Sequence, residues 1–84
     1  MTIDLNEWRR EIDIIDGEIL SLLERRFEVV KQIGIYKKEH GLPVVNKQRE
    51  EELLKCLAER SSLEPGFILE LYRVIFNQSY NLEE

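Results

Sequence analysis

From Leu5 onward, apolar side chains recur at alternating steps of three and four: Leu5, Trp8, Ile12, Ile15, Ile19, Leu22, Val29, Ile33 and Tyr36. Arg26 occupies the slot between Leu22 and Val29. This spacing keeps the residues on one side of a helix and predicts a long first helix over about residues 5–39. A second stripe, Leu20, Leu23, Phe27, Val30 and Gly34, runs beside it, so the buried face is broad enough for more than one partner helix. Thr2, Asp4 or Asn6 is placed to cap the start, and Gly41 to close the end. Gly17 and Gly34 each cost roughly 1 kcal/mol inside a helix, which points to close backbone approach at both.

Gly41, Leu42 and Pro43 break that helix, and Val44 and Val45 lead in extended form to Asn46, a good cap. A second helix over about 47–60 turns Leu53, Leu54, Cys56 and Leu57 inward. Ser61, Ser62 and Glu64 resemble a capping signal, with Pro65 in the first turn of a third helix over about 64–83. Its inward face reads Ile68, Leu71, Tyr72, Ile75, Ser79 and Leu82. No segment shows strand alternation, so the fold class is all-α, one long and two shorter helices in a single domain spanning residues 1–84.

About 32 residues at roughly 1.5 Å each make a rod of about 48 Å. A compact domain of this size is only about 30 Å across. The long helix therefore overhangs, its stripe needs a second chain to cover it, and an intertwined homodimeric bundle is expected.

Composition narrows the partners. The 84 residues are 43% hydrophobic and 35% charged, as in a structured helical protein, and the net charge of -5 argues against nucleic acid. Cys56 is the only cysteine, which excludes an intrachain disulfide and fits a reducing compartment; its helix face suggests a core role. His40 stands alone in a turn, so no metal site is expected. With no leader or membrane-spanning run, a cytoplasmic protein that does not engage membranes is expected.

Several polar residues interrupt the inward faces, and buried polar groups need partners or a ligand. Arg26 cannot be neutralised, and burying it unpaired costs several kcal/mol. Lys37 follows eleven residues later in nearly the same direction, three turns on. Arg49 and Glu50 begin the inward lines of the second helix, and Ser79 and Glu83 continue that of the third. Arg9 is turned about 100° away from Arg26 and sits near the opposite end of its helix, so it can serve only another site, the partner's in an antiparallel dimer. Two readings stand. In one, Arg26 pairs with an internal carboxylate, Lys37 and Arg49 snorkel, and Glu83 frays. In the other, cations, a hydroxyl and two carboxyl groups surround a dianion that reacts within itself, since no nucleophile has a paired base.

The motifs WRREIDIID, LLERRFEVV, GIYKKEHGLPV, NKQREEELL and IFNQSYNLEE carry Arg9, Arg26, Lys37, Arg49 with Glu50, and Ser79 in turn. In that order and spacing, the chain resembles the all-helical bacterial class of chorismate mutases over essentially its whole length. The resemblance implies an intertwined homodimer with two sites that convert chorismate to prephenate by a Claisen rearrangement, without a cofactor. By that likeness Arg26, Arg49 and the partner's Arg9 hold the substrate carboxylates. Lys37 binds a carboxylate and the ether oxygen, Glu50 and the Asn46 region meet the ring hydroxyl, and Ser79 assists at a carboxylate. A pericyclic step needs no base, only a folded substrate and stabilised charge on the ether oxygen, which fixed cations provide.

Two positions depart from the family pattern. Asn46 stands where an acidic residue is frequent. Glu83 stands where a glutamine often donates to the ether oxygen, so Glu83 is expected to work only when protonated. Rival readings are an isochorismate pyruvate lyase on the same scaffold and a non-catalytic helical dimerisation or regulatory module. The GLPVVNKQREEE segment favours the mutase over the first, and an interaction module has no need of the retained cations.

Overall fold

A computed structural model describes residues 4–84. It contains α1 (Leu5–His40), α2 (Lys47–Arg60) and α3 (Pro65–Glu83), with no strand among the described residues. The bounds lie within a residue or so of the sequence expectation because the ends are chemically marked. Asp4 is the cap of α1, its Oδ1 accepting from the Glu7 amide at 2.9 Å, while Asn6 lies inside the helix and Thr2 lies outside the described residues. Gly41 ends α1 in the left-handed region at φ 66°, a conformation that glycine adopts without a Cβ clash. Asn46 caps α2 through its side chain. At α3 the expected capping box is absent: Glu64 is the cap position but its side chain makes no capping bond, and Pro65 alone marks the first turn. Ser61 Oγ instead accepts from the Leu63 amide.

α3 is the middle element. It packs on both α1 and α2, while no Cα of α1 comes within 8 Å of one in α2. The second stripe of α1 is the one that meets α3: Leu23 and Phe27 are half-buried, and Val30 and Gly34 are buried. Gly34 is where the two backbones close together, since a Cβ there would lie 2.8 Å from Glu83 Cα. At Gly17 the expected close approach is absent among the described residues, since a Cβ there would meet no side chain or other helix within 4 Å.

The molecule is a rod of 61 × 24 × 16 Å, because α1 runs far past the ends of its neighbours. Its overhanging half leaves the first stripe open: Trp8 is 51% exposed, Ile12 55%, and Leu5, Ile15, Ile19 and Leu22 are similarly uncovered. Two other expectations need correction. Cys56 is exposed, because α2 rests on α3 through Leu53, Leu54 and Leu57 and position 56 falls at the margin of that contact. Leu71 is also exposed, since the buried line of α3 runs through Ile68, Ile75, Ser79 and Glu83, rotated slightly from the sequence reading.

Candidate active site

All three helices contribute to one pocket of about 240 Å³. α1 supplies Arg26, Val30, Ile33 and Lys37; the connection supplies Val44 and Asn46; α2 supplies Arg49, Glu50 and Leu53; α3 supplies Phe76, Ser79, Tyr80 and Glu83. Seven of the eight residues singled out in the sequence therefore line a single cavity. Arg9 does not. It is exposed on α1, 17 residues before Arg26, which at roughly 1.5 Å per residue places it about 25 Å away along the helix.

Arg26 is half-buried, and its Nη1 donates to Ser79 Oγ at 3.1 Å. Its guanidinium carbon also lies 5.8 Å from the centre of the Tyr72 ring, within range of the ring's negative face. Among the described residues, no internal carboxylate pairs with Arg26. Ser79 is only 6% exposed, and its own hydroxyl proton goes to the Ile75 carbonyl at 2.8 Å, one turn earlier. That commitment leaves the Ser79 oxygen as the acceptor that steadies Arg26.

Lys37 is held from two sides. Its Nζ donates to the Val44 carbonyl at 2.7 Å and pairs with Glu83 Oε1 at 2.6 Å. Glu83 is 6% exposed, so the last turn of α3 is packed rather than frayed, and its charge is met by Lys37. Gly34 makes this possible, because the missing side chain lets the Glu83 backbone settle against α1.

Asn46 lines the pocket, but its Oδ1 is engaged as the α2 cap, accepting from the Arg49 amide at 3.1 Å. Its side-chain amide nitrogen is what it can offer a ligand. The Arg49 side chain is exposed at the pocket rim. Among the described residues, neither the Arg26 nor the Arg49 guanidinium pairs with a carboxylate. Two arginine forks without counter-charges, beside a lysine, suit an anion with more than one carboxylate.

Sequence reasoning missed Tyr80. Its hydroxyl donates to Glu50 Oε2, joining α3 to α2 across 30 positions of sequence. Burial, that hydrogen bond and the charges of Glu50 and Glu83 push the phenol from its usual 10.0 up to about 12. Tyr80 follows Ser79 directly, so periodicity alone turned it away from the inward line. The Val44 carbonyl on Lys37 was likewise illegible, since it depends on how the connection folds back.

No group of histidine, cysteine, aspartate or glutamate suited to a metal occurs among the described residues, and no helix there is long and apolar enough to cross a membrane. The family model described as chorismate mutase type II matches residues 8–84. The T-protein of Haemophilus influenzae is 34% identical over 79 residues, 90% of this chain but 21% of that protein, so the chain spans about a fifth of that relative. The 4-amino-4-deoxychorismate mutase of Streptomyces venezuelae is 32% identical over 85 residues, covering 96% of this chain and 82% of that protein. Among solved structures, a chorismate mutase from Thermus thermophilus superposes with a TM-score of 0.89 at 36% identity, covering 94% of this chain and 92% of that one.

Proposed function

Because the chain belongs to the type II chorismate mutase family, we propose that its pocket binds chorismate and rearranges it to prephenate. The observation that carries this reading is the pair of guanidinium groups, Arg26 and Arg49, that flank Lys37 in the pocket without a carboxylate partner among the described residues. Chorismate brings two carboxylates, and bidentate arginine pairing orients each as well as attracting it.

The reaction breaks the ether C–O bond and forms a C–C bond in one cyclic movement of electrons, so no proton has to be taken or returned. What the protein contributes is restraint and charge. Arg26 and Arg49 fix the carboxylates and fold the enolpyruvyl arm over the ring, a positioning effect worth orders of magnitude in rate. Lys37, a compact charge, meets the negative charge that grows on the ether oxygen. Glu50 accepts from the ring hydroxyl, Asn46 adds its amide nitrogen nearby, and Ser79 steadies Arg26 against a carboxylate. Glu83 must exchange its contact with Lys37 for one with the substrate, and it can donate to the ether oxygen only while it carries a proton.

A second copy of the chain completes this picture. The overhanging half of α1 exposes a continuous apolar stripe that a soluble monomer rarely presents. Pairing two such halves antiparallel carries the partner's Arg9 toward the pocket that lacks it. The protein is then a homodimer with two shared sites.

A second substrate is favoured by one relative, since the Streptomyces protein is named a 4-amino-4-deoxychorismate mutase. Glu50, an acceptor, can receive from an amino group as well as from a hydroxyl. The deciding experiment incubates the purified chain with chorismate, 4-amino-4-deoxychorismate or isochorismate and follows loss of substrate absorbance and product identity. Prephenate from chorismate is the expected result. Pyruvate release from isochorismate alone would replace the mutase with a lyase, and no turnover of any of them would end the enzymatic reading.

A further inference from the structure

Tyr80 stands in a wall shared by two cavities. On one side is the pocket of about 240 Å³, and on the other a cavity of about 250 Å³ between α2 and α3; Glu50, Phe76 and Tyr80 line both. The hydrogen bond from Tyr80 to Glu50 is the only donor contact to that carboxylate among the described residues. Without it, a glutamate side chain with three rotatable bonds could turn toward either cavity.

The charges around the pocket decide what Glu50 can meet. Arg26, Lys37 and Arg49 are donors only, and an ionised Glu50 is an acceptor only. The cations claim the carboxylates of the proposed substrate, so the one group left for Glu50 is the ring substituent, which must donate. We propose that Tyr80 is a positioning residue that fixes the Glu50 carboxylate for the ring substituent and tunes the pocket toward a hydroxyl over an ammonium there.

The tuning follows from the hydrogen bond itself. Donation by Tyr80 occupies Oε2 and draws off part of the negative charge, leaving Oε1 as a placed acceptor. A hydroxyl needs one acceptor in the right place. An ammonium responds to total charge, so it gains less from placement and loses more from the neutralising bond. The raised titration of Tyr80, to about 12, keeps its proton in place across the range in which such an enzyme is assayed.

This inference rests on the proposed activity, and the test separates the two. Tyr80→Phe keeps the ring and removes only the donor. It is expected to lower kcat/KM for chorismate about tenfold, mostly through KM, as loss of a hydrogen bond to a charged group requires. The ratio of kcat/KM for chorismate to that for 4-amino-4-deoxychorismate should fall at the same time. In a Glu50→Ala background, measured with as much enzyme as its lower rate needs, Tyr80→Phe should change neither KM nor the ratio. If Tyr80→Phe leaves both quantities untouched in the wild-type background, or lowers kcat/KM equally with and without Glu50, the positioning role is overturned while the activity stands. A wild-type chain that turns over neither compound overturns both.

Discussion

Gly34→Ala places one methyl group where α1 and α3 touch. An ideal Cβ at position 34 would lie 2.8 Å from Glu83 Cα, 3.2 Å from the Glu83 carbonyl oxygen and 3.3 Å from Glu83 Cβ. Carbon atoms rest at about 3.5–4.0 Å, so the end of α3 must withdraw by about 1 Å, and the two nearest obstructing atoms are backbone that cannot rotate aside. Overpacking of this kind costs about 1–3 kcal/mol, offset by about 1 kcal/mol from replacing a helical glycine. A net destabilisation of at most about 2 kcal/mol leaves nearly all of a normally stable chain folded. The site suffers more, because the same withdrawal moves Glu83 from Lys37 and shifts Ser79 under Arg26. A misplacement of about 1 Å is enough to lower kcat/KM roughly 100-fold. Denaturant midpoints and chorismate kinetics would be compared with Gly17→Ala, where the added Cβ meets no side chain or other helix of the described residues within 4 Å. That control should gain up to about 1 kcal/mol and keep its activity. If the two alanine variants behave alike in stability and rate, the close contact at Gly34 does not shape the site.

Three further outcomes are expected. Arg9→Ala and Arg26→Ala chains, each inactive alone, should recover activity when unfolded together and refolded, since one site in a mixed dimer carries both arginines; mixed dimers without recovery would show that Arg9 does not act across the interface. Glu83→Gln should raise kcat/KM for chorismate, because an amide brings a donor to the ether oxygen where an ionised carboxylate has none, and a value identical to wild type would remove Glu83 from the chemistry. Tyr80 has its folded-state titration raised to about 12 from 10.0, so its bond stabilises the fold fully below pH 10 and that contribution disappears as pH rises through 12. Wild type should therefore lose more stability than Tyr80→Phe between those pH values, as read by urea midpoints, and equal losses would mean that Tyr80 does not favour its protonated form in the fold.

The helices were legible because their ends are written locally, in Asp4, Gly41, Asn46 and Pro65. The gathering of Arg26, Lys37, Arg49, Glu50, Ser79 and Glu83 was legible because each interrupts an apolar line at helical spacing. Periodicity could not say which of two adjacent stripes on α1 meets α3. The shorter one, through Val30 and Gly34, is buried in the chain, while the longer one is left exposed. Nor could it reveal the bond between Tyr80 and Glu50, which depends on how far α2 is slid along α3. Cys56 failed for a related reason: a face can be apolar in sequence and still lie at the edge of a one-sided contact.

The separation of α1 from α2 gives the pocket a mechanical meaning. Each helix packs on α3, but their own backbones stay more than 8 Å apart at every Cα pair. Arg26 and Lys37 belong to one, Arg49 and Glu50 to the other. A dianion gripped by all four would act as a strut across a gap that the polypeptide leaves unbridged. Occupancy would then stiffen α2 against α1, and the slowing of amide exchange along α2 would report how tightly the strut is held.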